Sequence, residues 1–155
     1  MALTTFVSGQ VLEAAQLNDS FDAVYQVRKV SAATVATSQT TASGTYTDLA
    51  TAGPSVTVTT TTKALVILTA YLTGNVGAEE YFMSFAVSGA TTISAADTQA
   101  LRIDISTANE GTQMSAVYPV TLTAGSNTFT AKYRRGGPAG TLTASDRSIT
   151  VITYA

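Results

Sequence analysis

Apolar and polar residues alternate along most of the chain with a period of two. The alternation is clearest over 55–59, 81–87, 101–105 and 128–134, where every second residue is apolar. This period predicts β-strands with one buried face, and turns rich in Gly, Pro and Asn separate the runs. The whole pattern predicts roughly nine or ten strands, which is typical of an all-β sandwich or barrel.

Three further stretches refine this picture. Residues 65–72 are apolar on both faces, which predicts a central strand that is covered on both sides. Residues 45–49 alternate and predict another short strand. The stretch 136–140 reads Gly-Gly-Pro-Ala-Gly and is the strongest break in the chain. Because no Gly-Lys-Ser/Thr follows it, this break predicts a flexible connection between strands and not a phosphate-binding loop.

The first 30 residues follow a different pattern. Apolar residues recur at Ala14, Leu17, Phe21 and Val24, which is the spacing of one helical face. We therefore expect an N-terminal arm and helix over 1–30, with the helix near 12–26, and a β-domain over 31–155. So short a helix is marginal alone in water and has to pack on something.

The helix could pack on its own domain or on another molecule, and we favour a symmetry mate or another protein. The first 30 residues would then anchor the β-domain or join copies of the chain. The candidate anchor residues are the apolar ones of this segment: Phe6, Val11, Leu12, Leu17, Phe21 and Val24.

Composition narrows the chemistry. The chain has 29 threonines among 155 residues, which suits strands with one face in water. It has no His and no Cys, so we expect no zinc site built on them and no nucleophile pair of that type. Charged residues make up 12% and the net charge is −2, which disfavours nucleic acid as a partner. The apolar stretch 64–72 is too short to span a membrane as a helix.

Few side chains suggest a reactive site. Glu79 and Glu80 are adjacent, so on a strand they point to opposite faces and cannot act as an acid/base pair. Four scattered carboxylates lack the spacing of a calcium loop, and we expect no metal and no cofactor. These four are Asp97, Asp104, Glu110 and Asp146. We therefore expect that the protein is not an enzyme.

Two other groups could contact a partner. Lys132, Arg134 and Arg135 form the basic cluster of the chain, which could meet acidic groups on a neighbour or simply keep the surface soluble. The tyrosines could line a carbohydrate-binding surface, although most of them fall at positions expected for the core. The tyrosines are Tyr25, Tyr46, Tyr71, Tyr81, Tyr118, Tyr133 and Tyr154.

Two segments resemble known proteins. The stretch 6–21, with its aromatic start, Gly9, Val11-Leu12, Leu17-Asn18 and aromatic end, resembles the start of many bacteriophage virion proteins. The stretches 43–49, 120–134 and 147–152 are similar to parts of jelly-roll modules of the TNF/C1q type in phage fibres and capsid decoration proteins. One departure is Ala124, where family members often carry Pro.

The resemblance implies a jelly-roll β-sandwich preceded by a short N-terminal arm and α-helix. It also implies a virion location and a homotrimer, and it transfers no site residues because these modules share no active site. We therefore expect a capsid decoration (cement) protein whose partners are its own copies and the major capsid protein or another virion protein. The alternative is a tail or head fibre module that recognises a host receptor.

Overall fold

The computed structural model describes residues 29–154, and within them nine strands and one short 3-10 turn are formed. The strands are β1 (Lys29–Val35), β2 (Gln39–Thr41), β3 (Ser55–Thr60), β4 (Lys63–Gly74), β5 (Glu79–Gly89), β6 (Leu101–Ile105), β7 (Gly111–Thr121), β8 (Gly125–Arg135) and β9 (Leu142–Tyr154). The 3-10 turn, Asp97–Gln99, precedes β6.

The strands form two antiparallel sheets. The larger sheet has the order β1-β9-β4-β7, with β2 also paired to β9, and the smaller sheet has the order β3-β8-β5-β6. The chain passes from one sheet to the other repeatedly, as it does between β3, β4 and β5. This is the double-sheet arrangement of a jelly roll. The predicted all-β sandwich is confirmed.

Side chains that point between the sheets form one apolar core. On β8 every second residue is fully buried, namely Phe129, Ala131 and Tyr133, as the alternation predicts. The Tyr133 hydroxyl donates a hydrogen bond of 2.9 Å to the Gly53 carbonyl oxygen. Burial raises the pKa of Tyr133 to about 12. The core therefore ties both sheets together, and Tyr133 makes a polar contact at its border.

Strand β4 corrects one prediction. It is central, because it pairs with β7 on one side and β9 on the other. Val66 and Leu68 face the core and are fully buried. Leu65 and Ile67 point to the other side of the sheet and are only partly buried. The prediction that β4 is covered on both sides is therefore wrong for the single chain, because the sandwich covers only the inner face of each sheet.

The strand predicted over 45–49 is also wrong. This stretch belongs to the segment 42–50, which runs beside the C-terminal half of β8. We call this segment the strap. Its one ladder pair joins Thr47 to Tyr133, with N···O distances of 3.0 and 2.9 Å. The strap follows the line of β3, and besides the Thr47 pair it has one more backbone hydrogen bond to β8, from the Arg135 amide to the Ser43 carbonyl oxygen at 2.9 Å. These contacts are too widely spaced for a strand, so the strap covers the edge of β8 without forming one.

The helix predicted over 12–26 lies outside the described residues, as do all six candidate anchor residues. β1 begins at Lys29, which pairs with Thr153 of β9. The boundary predicted near residue 30 stays a prediction. Within 29–154 there is no helix long and apolar enough to cross a membrane.

Candidate functional site

The outer surface of the larger sheet carries a patch of apolar side chains that we call the apolar face. Strand register places its members in two rows across the sheet. The first row is Val30, Ile152, Leu65 and Pro119, and the second row is Ala32, Ile67 and Val117, with the polar Thr150 between Ala32 and Ile67. Val30 is 59% exposed and Val117 is 54% exposed. A contiguous apolar patch on a sheet marks a contact with another molecule more often than a free surface.

A row of hydroxyl side chains borders the apolar face. Thr34, Ser148, Thr69 and Ser115 stand side by side in the next row of the sheet. The Thr69 and Ser115 hydroxyl oxygens are 2.7 Å apart and share a hydrogen bond. From the row of Val30 to this row, no charged side chain of the described chain points outward. The surface therefore has no charged groups, which are the groups most costly to transfer from water into an interface.

Strand β7 adds an open edge beside the apolar face. It is the last strand of its sheet and runs for 11 residues, Gly111–Thr121. None of these residues is charged. A long uncharged edge strand offers unpaired backbone groups to another chain, and monomeric proteins usually protect such an edge with Lys, Pro or a short strand. β7 is long and has no Lys, and Pro119 is its one residue of that protective kind. The apolar face and the β7 edge together form a surface suited to a second polypeptide.

The outer surface of the smaller sheet is different because the chain covers part of it. Phe82 and Ser84 of β5 point away from the core, yet they are only 2% and 0% exposed. The segment before β6 lies over Ser84, whose hydroxyl oxygen is 2.9 Å from the Ala96 carbonyl oxygen. Phe82 is covered by Arg134 of β8, whose guanidinium carbon lies 3.9 Å from the ring centre.

Arg134 is the centre of a four-residue contact that holds this cover in place. Its Nε and Nη2 atoms donate to the two carboxylate oxygens of Asp97, at 2.9 and 2.5 Å. The Tyr46 hydroxyl of the strap donates to the same carboxylate at 2.8 Å. The hydrogen bond from Arg134 is the main cause that holds the pKa of Asp97 below its ordinary value. Burial raises the pKa of Tyr46.

The other two predicted basic residues also contact the chain itself. The Lys132 ammonium lies 2.7 Å from a carboxylate oxygen of Asp48 in the strap. Arg135 donates to the Ala42 carbonyl oxygen at 2.6 Å and to the Gly137 carbonyl oxygen. The structure thus brings Lys132, Arg134 and Arg135 together on β8, where each binds a neighbouring segment. Their contact with a partner stays a prediction.

The candidate carboxylates do not form one cluster. Glu80 pairs with Arg102 at 3.1 Å, and Asp104 pairs with the same arginine at 3.2 Å. Asp97 is held by Arg134, as described above. Across residues 29–154 there is no group of three or more acidic side chains that could hold a metal ion.

Arg147 is a buried residue whose role was not predicted from the sequence. Its side chain is fully buried, and its Nη2 atom donates to the Gln39 side-chain oxygen at 3.0 Å and to the Thr37 carbonyl oxygen at 3.2 Å. Its Nε atom has no hydrogen-bond partner among the described residues. A signal was present, because Arg147 has the same parity on β9 as the inward-facing Ile149 and Val151. It ties the segment between β1 and β3 to β9.

Comparisons with known proteins define the class of fold. No protein-family model matches the sequence, and no curated protein matches it significantly. Among solved structures, the chain is similar to that of Eiger TNF from S. frugiperda, with a TM-score of 0.56 and 10% identity over 83% of this chain and 94% of that one. At so low an identity the likeness concerns the fold, which is a TNF-like jelly roll.

A second similar structure is viral. It is the structure of infectious bursal disease virus Gx strain, with a TM-score of 0.51 and 20% identity. The match covers 83% of this chain and 32% of the viral chain, so this chain corresponds to about a third of that protein. This likeness also concerns the fold alone.

Proposed function

We propose that the chain is a bacteriophage capsid decoration (cement) protein that binds the assembled shell as a homotrimer and stabilises it. The observation that carries the proposal is the uncharged apolar face beside the open edge of β7. A TNF fold and a viral structure among the similar structures support a structural role in a virion. The resemblance of residues 6–21 to the start of phage virion proteins supports the phage origin.

The two parts of this surface, the apolar face and the β7 edge, support an assembly of several copies of the chain. The apolar face is a patch and the β7 edge is a strand border, so they differ in shape and can meet each other on neighbouring copies. Contacts between unlike patches close into a ring when the rotation allows it. Val117 is 54% exposed, so covering it contributes about half of the roughly 1.5–3 kcal/mol that full burial of such a side chain contributes. Ile67 is already partly buried in the single chain and contributes less. The resemblance gives three as the number of copies.

Attachment to the shell is assigned to residues 1–30. The described chain begins with β1 at Lys29, which neighbours Val30 of the apolar face, so the described residues start at the end of the sheet that carries this face. The apolar residues of that segment, Phe21 among them, would then contact the major capsid protein or another virion protein.

The trimer is tested by placing a charge in the apolar face. We expect the wild-type chain to have the mass of a trimer in light scattering and Ile67→Asp to have the mass of a monomer with an unchanged circular dichroism spectrum. A charge buried without a partner costs several kcal/mol, so it disrupts the interface. Thr57→Asp on the outer surface of the smaller sheet is the matched control and should remain trimeric. A wild-type monomer contradicts the proposed trimer, and a trimer that tolerates Ile67→Asp contradicts the apolar face as its interface.

Attachment is tested with Phe21→Ala and particles assembled without this protein. Truncating a packed Phe costs about 3–5 kcal/mol, which corresponds to at least about a hundredfold weaker attachment at about 1.4 kcal/mol per tenfold. The melting temperature of the free chain should not change. Unchanged attachment with a lower melting temperature would show that Phe21 belongs to the domain's own core and that the anchor assignment is wrong.

A further inference from the structure

A groove lies at the opposite end of the larger sheet from the apolar face. It has a volume of about 540 Å³ and is open to solvent. Its walls come from β6 and from the start of β7, which are edge strands of the two sheets, and from the turn that joins them. The lining residues are Tyr71, Ile103, Asp104, Ile105, Asn109, Glu110, Gly111 and Thr112.

Tyr71 provides an aromatic surface at the rim of the groove. It is 38% exposed, and every other tyrosine of the described chain is partly or fully buried. Its side chain extends across β7 at Gly111, where a Cβ atom would lie 2.6 Å from the tyrosine hydroxyl oxygen. Gly111 therefore leaves the space that the Tyr71 side chain occupies.

The polar part of the rim is fixed before any ligand arrives. One carboxylate oxygen of Glu110 accepts hydrogen bonds of 2.9 Å from the backbone amides of Ser106 and Thr107. These bonds hold the pKa of Glu110 below its ordinary value. Within residues 29–154 its other oxygen, Oε1, accepts no hydrogen bond. The backbone N–H of Asn109 donates to the Gly74 carbonyl oxygen at 2.7 Å, which holds the turn against β4. A rim fixed in this way loses little conformational entropy on binding.

From this groove we infer a binding site for an uncharged oligosaccharide. The ring of Tyr71 can pack against the C–H side of a sugar ring. The free carboxylate oxygens of Glu110 and Asp104 can accept hydrogen bonds from the hydroxyl groups of the sugar. Acidic sugars are disfavoured because both charged side chains in the lining are carboxylates. A basic peptide is less suited because Asp104 is already paired with Arg102, at 3.2 Å. The inference rests on the described residues alone and does not depend on the proposed attachment to a shell.

The site is tested with the full-length chain on an array of neutral, amino and acidic oligosaccharides, followed by calorimetry with the strongest neutral ligand. We expect binding to at least one neutral sugar and a loss of about tenfold or more in affinity for Tyr71→Ala, which removes the aromatic surface. Tyr71→Phe keeps the ring and should retain most of the affinity. Tyr154→Ala, at the opposite end of the sheet, is the matched control and should bind like the wild type.

The salt dependence separates this ligand from a charged one. Affinity for a neutral sugar should not change between about 0.05 and 0.5 M salt, whereas binding of an oligo-arginine peptide would weaken strongly. The inference is overturned if no neutral sugar binds, if Tyr71→Ala binds as well as the wild type, or if only the peptide binds. It is also overturned if Tyr71→Ala changes the mass in light scattering and not sugar affinity, because the groove would then be a contact between copies.

Discussion

The outer surfaces of the two sheets differ in how they are covered. On the smaller sheet, the strap and the segment before β6 lie over β5 and β8, and they are held there by Arg134, Asp97 and Lys132. On the larger sheet, the apolar face has no cover from the described chain and no charged side chain. Ion pairs and hydrogen bonds thus hold the cover on the outer surface of the smaller sheet. The apolar face of the larger sheet lacks charged side chains and is the surface suited to another copy.

The largest expected effect is the difference in free energy of unfolding between a variant of the covered surface and a variant of the apolar face, both measured in the monomer. Phe82→Ala removes a buried ring beneath Arg134 and should lower the free energy of unfolding by about 3–5 kcal/mol. Val117→Ala removes an exposed side chain of the apolar face and should lower it by about 1 kcal/mol or less. Urea unfolding at a protein concentration where the chain is monomeric measures both. Equal losses would mean that the apolar face is covered within the single chain.

A smaller effect should appear in the pH dependence of stability, through Asp97 on the covered surface of the smaller sheet. Because the folded-state pKa of Asp97 lies below its ordinary value of 3.8, its contact with Arg134 stabilises the fold above that value. The stabilisation is lost as the pH falls through the folded-state pKa. At pH 7, Asp97→Asn should lower the free energy of unfolding by only about 0.5–1 kcal/mol, since the Asp97 side chain is 55% exposed and solvent screens its charge.

The measurement is the unfolding midpoint of the wild type and of Asp97→Asn between about pH 7 and pH 2. The difference between the two proteins should shrink below about pH 4. Asp146→Asn is the control, because Asp146 is exposed with a φ of 48° and Asn tolerates that conformation. A difference between wild type and Asp97→Asn that stays constant down to pH 2 would show that Asp97 does not act through its charge.

The sequence predicted what depends on local alternation. The inward faces of β6 and β8 follow from it, and so does the sandwich. The parity of Arg147 was also visible, although its partners come from the distant segment before β3 and no local pattern shows them. The stretch 45–49 of the strap was predicted to be a strand because its residues alternate as in a strand. Its actual position is set by the backbone pair of Thr47 with the distant Tyr133, which no local pattern shows.

The candidate site was predicted in part. The apolar residues on both faces of 65–72 did signal a second apolar surface, and the error was to expect its cover within the chain. The groove was not predicted, because Tyr71 is distant in sequence from Asp104 and Glu110 and only the packing of β4, β6 and β7 brings them together.

The smallest effect concerns where the contact between copies ends. Thr69 and Ser115 share a hydrogen bond of 2.7 Å at the border of the apolar face. Replacing both with Thr69→Val and Ser115→Ala removes donor and acceptor together, so the free energy of unfolding of the monomer should change by about 0.5 kcal/mol or less. If the contact extends over this row, the added apolar surface should strengthen the trimer severalfold in a dilution series followed by light scattering. If the contact ends at Ile67, the dissociation midpoint should not move. A weaker trimer would mean that these hydroxyl groups bind the neighbouring copy, which would contradict an interface built on apolar contact at this row.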